Sequence, residues 1–176
     1  MNILIIILFV LVGIIALLLL IALFIRKEYI VQSEMIINHP VQLVFDYIKQ
    51  IKNQDSFNKW VMVDPSMKKK FNGTDGTVGF KYEWNGNKKA GEGEQEITNL
   101  VEGKKLETEI RFVRPFPSVA KANMMTESIS ANQTKVGWRN SGEMKYPMNV
   151  MVSMVEKMLA KDMNESLNNL KRILEK

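Results

Sequence analysis

The chain has 176 residues, with 24 Lys and Arg against 19 Asp and Glu, a single His and no Cys. Without cysteine there can be no disulfide framework, thiolate metal site or cysteine nucleophile, and one His leaves little scope for imidazole chemistry. The formal charge of +5 is modest, and no recognition-helix, zinc or RNP-type pattern accompanies it, so nucleic acid is not an expected partner.

From Ile3 to Ile25 the chain carries no charged residue, only Ile, Leu, Val, Phe, Ala and one Gly. As a helix this stretch of 23 residues is about 34 Å long, enough to cross the ~30 Å hydrocarbon core of a bilayer. A cleaved secretory signal has a basic start, a shorter apolar core and small residues at its cleavage site. None of these is present: the run is too long, and Leu23-Phe24-Ile25-Arg26 offers no small-x-small site. A single membrane span is expected, and Arg26 and Lys27 after it place the following domain on the cytoplasmic side. Residues 1–27 thus read as an anchor with a basic flank, and residues 28–176 as one soluble domain with no internal repeat or linker.

Within that domain, Tyr29 to Asn38 is β-rich and ends at His39-Pro40, where Pro opens a short amphipathic helix through Val41, Val44, Phe45 and Ile48. A turn-rich connection follows, anchored by Phe57, Trp60 and Val61. Lys68-Lys69-Lys70 then forms a basic run that could face anionic headgroups.

The period next changes from 3.6 to 2. Val78, Phe80, Tyr82 and Trp84 alternate with polar residues or Gly up to an Asn85-Gly86 turn, as do Leu106, Ile110 and Phe112 before Pro115 and Pro117. Met124, Thr126 and Ser128 make another strand, and Val136, Trp138, Asn140 and Met144 the next. Consecutive hairpins of this kind build an antiparallel sheet with one buried face and one wet face. By phase, Glu94, Glu96, Glu107 and Glu109 belong to the wet face. After Pro147, a plausible first helical residue, Met148, Met151, Val152, Val155, Met158, Leu159, Leu167, Leu170 and Leu174 form one stripe of a long helix that must bury itself on the sheet.

The segment Ile36-Ile37-Asn38-His39-Pro40-Val41-Gln42-Leu43-Val44-Phe45-Asp46-Tyr47-Ile48, with Trp60 downstream and glycines at 76, 79, 91 and 93, resembles the START-like superfamily, also described as SRPBCC or polyketide cyclase/dehydrase and lipid transport. The resemblance covers residues 29–176 and implies an α+β helix-grip fold, a curved antiparallel sheet gripping a long C-terminal helix. It also implies a cavity between sheet and helix. Phe80, Tyr82, Trp84, Ile110, Phe112, Met124 and Trp138 would line it from the sheet, and Met148, Met151, Val152, Val155 and Met158 from the helix.

Three functions stay open at this point. The domain binds a lipid or other hydrophobic small molecule beside the bilayer, it is a cyclase- or dehydratase-like enzyme, or it is an interaction module whose core is filled. No HExxH, GxSxG, Walker or GxGxxG pattern occurs, and no catalytic residue, metal or cofactor is expected. If polar groups act inside the cavity, Tyr82, Thr108, Thr126 and Asn140 are the candidates.

Overall fold

The computed structural model describes residues 2–176. Helix α1 (Ile3–Phe24) has a mean hydropathy of 3.7 and lies almost wholly outside the folded domain, so it is long and apolar enough to span a membrane. Only Ala22, near its end, is buried.

Seven strands follow: β1 (Glu28–Ile37), β2 (Lys68–Asn72), β3 (Lys81–Asn85), β4 (Glu92–Val101), β5 (Lys105–Arg114), β6 (Ser118–Ser130) and β7 (Gln133–Glu143). They form one antiparallel sheet in the order β1-β7-β6-β5-β4-β3-β2. Helix α2 (Val41–Ile48) and the short helices α3 (Gln54–Phe57) and α4 (Lys59–Met62) lie between β1 and β2. A 3-10 turn (Met148–Met151) leads into α5 (Val152–Leu174), which packs against the sheet. This is the α+β helix-grip architecture expected from the alternating strands and the terminal apolar stripe.

Two expectations about boundaries change. Val78 alternates in phase with Phe80 and Tyr82 but lies before the strand, in a turn where Gly76 and Gly79 take positive φ of 76° and 87°. Helix α5 begins at Val152 and not after Pro147, because residues 148–151 form the tighter 3-10 turn.

The interior has two apolar clusters. One gathers Val31, Ile37, Val44, Phe45, Phe57, Val136 and Trp138 around Met163, Leu167 and Leu170 of the C-terminal half of α5. The other holds Ile51, Val61, Met67, Phe80, Tyr82, Trp84, Ile97 and Leu106 beneath β2 to β5. On the wet face Arg111 pairs with Glu94, with Glu96 at 2.8 Å and with Glu109 at 2.8 Å. Arg111 thereby holds the Glu96 carboxyl below its ordinary range.

The registers place one set of elements at the α1 end of the sheet. Glu28 faces Glu143, Ala120 faces Gly142, Phe112 faces Ser118 and Asn85 faces Glu92. The start of β1, the β5–β6 connection and the β3–β4 hairpin therefore share the end nearest α1. Asn149, buried in the 3-10 turn, donates from Nδ2 to the carbonyls of Ala22 at 2.7 Å and Ile25 at 2.8 Å. It satisfies two of the carbonyls that a helix end leaves open.

Candidate ligand cavity

Between the two apolar clusters, at the end nearest α1, lies a cavity of about 240 Å³. Its sheet wall is Tyr82 and Trp84 of β3, Gln95 of β4, Ile110 and Phe112 of β5, Ala120 of β6, Asn140 of β7 and Tyr29 of β1. Its opposite wall comes from α3 and α4 through Gln54, Asn58, Trp60 and Val61, with Met67 after them and Leu159 of α5. The exposed residues Lys89, Arg114 and Pro115 form the rim and so mark the mouth.

Each wall is built by local packing. Trp84 and Tyr82 stack with ring centroids 5.7 Å apart, and Phe112 meets Trp84 edge-on at 5.9 Å. The Trp84 indole donates to the Ala90 carbonyl at 3.1 Å. Trp60 is held from the other side, its indole donating to Asp162 of α5 at 3.1 Å and its ring set edge-on to Trp138 at 5.7 Å. Asn58 caps α4 by accepting from the Trp60 amide at 3.1 Å and donates to Gln54 at 3.0 Å.

The polar groups of the cavity divide into paired and unpaired ones. Gln95 donates to Thr108 at 3.1 Å, and Thr108 donates to the Ala122 carbonyl at 3.2 Å. Thr126 donates to the Gly103 carbonyl at 3.0 Å, away from the cavity. The Tyr82 Oη and Asn140 Oδ1 atoms, both buried, have no hydrogen-bond partner. Burial raises the Tyr82 phenol well above its ordinary value, with the charge of Asp55 adding to the effect, so it remains a neutral donor around neutral pH. No Asp, Glu or His stands among the described lining residues. The arrangement suits an apolar guest that carries polar groups.

Of the other residues expected at the cavity, Met124 and Trp138 line an adjoining recess of about 30 Å³ that shares Gln54, Asn58, Trp60, Gln95 and Ile110 with the main space. Phe80 is packed into the second cluster behind the wall. The helix residues are placed differently. Val152 is fully buried, Met148 and Met158 are exposed, Met151 and Val155 are half-buried, and none of the five lines the cavity. At about 100° per residue, Val152, Leu159, Met163 and Leu170 fall on one line, whereas Val155 and Met158 are turned by about 60° and 120° from it. Leu159 is the helix residue that reaches the cavity.

The contributions of Gln54, Asn58, Trp60, Val61 and Met67 were not expected. Their signal was the pair Trp60 and Val61 in a turn-rich stretch, since a large aromatic with no periodic partner still has to be buried.

No protein-family model matches the chain, and no curated protein matches it significantly. Solved structures do resemble it. Ara h 8.0201 is 10% identical, with a TM-score of 0.61 over 84% of this chain and 97% of its own. Protein CV1439 from Chromobacterium violaceum is 13% identical, with a TM-score of 0.61 over 84% of this chain and 97% of its own. Hypothetical protein jhp0584 from Helicobacter pylori is 10% identical, with a TM-score of 0.63 over 83% of this chain and 88% of its own. At these identities the likeness defines a fold. The domain has the helix-grip, Bet v 1-like fold, here preceded by a long apolar helix.

Proposed function

We propose that this protein is a membrane-anchored member of the START-like superfamily whose domain, residues 28–176, takes up a hydrophobic small molecule or a single lipid chain. The unpaired Tyr82 Oη and Asn140 Oδ1, in a mainly apolar wall where Gln54, Asn58 and Gln95 are hydrogen-bonded, carry this reading. A buried polar atom without a partner costs about 1–3 kcal/mol, and a guest that accepts from the phenol and donates to the amide oxygen removes that cost. A hydroxyl on an apolar body can do either, accepting from the phenol or donating to the amide oxygen. The volume of about 240 Å³ lies just under the usual range of ~300–1,000 Å³ for ligand sites, which favours a compact guest over a two-chain lipid.

Native mass spectrometry of the full chain, delipidated and then incubated with a membrane lipid extract, tests the reading. The expected result is a discrete added mass that is lost from a Tyr82→Phe, Asn140→Leu double variant. Either an added mass that survives in the variant or no added mass at all counts against the cavity as the binding site.

A further inference from the structure

The strand registers bring the cavity mouth and the membrane helix to the same end of the domain. Only Ile25, Arg26 and Lys27 separate α1 from β1, a linker spanning at most about 11 Å. The β5–β6 connection, which carries rim residues Arg114 and Pro115, lies two to three strand spacings from β1, or about 10–14 Å. The linker is short, and Asn149 fastens the helix end to the domain.

The β5–β6 tip is apolar where a water-facing hairpin would be polar: Phe116 is 65% exposed, Val113 55% and Val119 51%. Val113 and Val119 stand on the outer face of the sheet, opposite the cavity-facing Phe112 and Ala120, so neither serves the cavity wall. This end of the sheet carries Lys88 and Lys89 on the β3–β4 hairpin, Arg114 at the rim and Lys145 after β7, against Glu28 and Glu143 on the β1–β7 side. Glu92, the acidic residue closest to Arg114, is already paired with it at 2.8 Å. Aromatic and aliphatic side chains beside Lys and Arg are the composition that settles at an anionic membrane interface.

We infer that the anchor end of the sheet rests on the bilayer, with Phe116, Val113 and Val119 seated among the headgroups and the mouth between Lys89 and Arg114 opening onto lipid. The guest then enters from the membrane without crossing water. This inference rests on the anchored, ligand-binding reading above, and it adds a second membrane contact and a direction of loading to it.

The absence of cysteine from the chain makes single-site labelling direct. Spin labels are placed at Phe116→Cys, at Val119→Cys, at Leu11→Cys in the apolar helix, and at Ile129→Cys, which is 49% exposed at the β6–β7 turn of the opposite end. The full chain is put into phosphatidylcholine–phosphatidylglycerol nanodiscs, and collisions with oxygen are compared with those of a water-soluble nickel chelate. The expected result is lipid-type behaviour at positions 11, 116 and 119, with an oxygen-to-nickel ratio several-fold above that at position 129. Water-type behaviour at 116 and 119 with position 11 in lipid overturns the inference and leaves the anchor reading in place. Water-type behaviour at position 11 overturns both. The ligand reading fails independently, through the mass measurement, whatever depth the labels report.

Discussion

Tyr29 of β1 lies over Gly142, its cross-strand partner in β7: a Cβ on Gly142 would sit 2.6 Å from the phenol oxygen. Trp84 and Gly93 repeat the relationship between β3 and β4, where a Cβ would sit 2.6 Å from Cη2 of the indole. Two aromatic walls of the cavity thus owe their positions to the bareness of the residue opposite.

Gly142→Ala should push Tyr29 off its seat and toward the cavity. Overpacking of this kind costs about 1–3 kcal/mol. A lower melting temperature and reduced ligand uptake are expected together. Unchanged values of both would show that the ring has room to turn elsewhere.

Tyr82→Phe removes a buried hydroxyl that has no protein partner. The unliganded protein should gain about 1 kcal/mol in urea unfolding, while affinity for a hydroxylated guest falls about tenfold, the worth of one good hydrogen bond. A variant that loses stability without ligand would mean that the hydroxyl already has a partner such as water.

Asn149→Ala deletes both hydrogen bonds to the end of α1, each worth about 1 kcal/mol. Hydrogen exchange at the Met144 amide, which donates to the Lys27 carbonyl at 2.8 Å, should quicken, with the central sheet amides unaffected. If exchange there does not change, the Arg26–Glu156 ion pair at 2.6 Å is enough to hold the junction.

Acid should weaken the wet face of the sheet. The Glu96 carboxyl is held below its ordinary value of 4.5, chiefly by its hydrogen bond to Arg111. A depressed folded-state value means that unfolding takes up a proton in acid, so this stabilisation is complete above the ordinary value and fades as pH falls through the lowered one. Urea midpoints of the wild-type chain should therefore drop on acidification toward pH 3. In Arg111→Gln the drop should be shallower and the neutral midpoint lower. Parallel curves for the two would place the acid-sensitive contact elsewhere.

The sheet was readable because inward and outward positions differ so plainly: Leu106, Ile110 and Phe112 against Glu107, Glu109 and Arg111 permit one register only. The long helix was readable as a stripe, yet its phase was not. Met148, Met151 and Met158 are apolar enough to extend the pattern, but the first two lie in the 3-10 turn before Val152 and Met158, within α5, is turned about 120° from the buried line. The wall from α3 and α4 was hidden for a different reason. Helices of four residues are too short to display a period, and Gln54 and Asn58 are inward-facing polar residues that bond each other. That Tyr82 and Asn140 lack partners while Thr108 and Thr126 have them is a property of three-dimensional neighbours.

The run Lys68-Lys69-Lys70 acquires its meaning from its place in the strand order. It forms most of β2, an outermost strand, with Lys69 paired to Asp55 at 2.7 Å and Lys70 near Glu83 at 3.4 Å. At the other margin, side chains of α5 and of Glu175 just after it occupy backbone groups of β1 and of Asn38 just beyond it. Glu156 accepts from the Ile30 amide at 3.3 Å, Lys171 donates to the Ile36 carbonyl at 2.9 Å, and Glu175 accepts from the Asn38 amide at 2.6 Å. An open sheet offers two margins along which a second copy could continue the ladder, and natural proteins obstruct such margins with lysines or covering elements. Here one margin is guarded by like charge and the other is occupied by the chain's own helix. Copies crowded side by side can jostle without zipping together, and the sheet ends where the chain ends it.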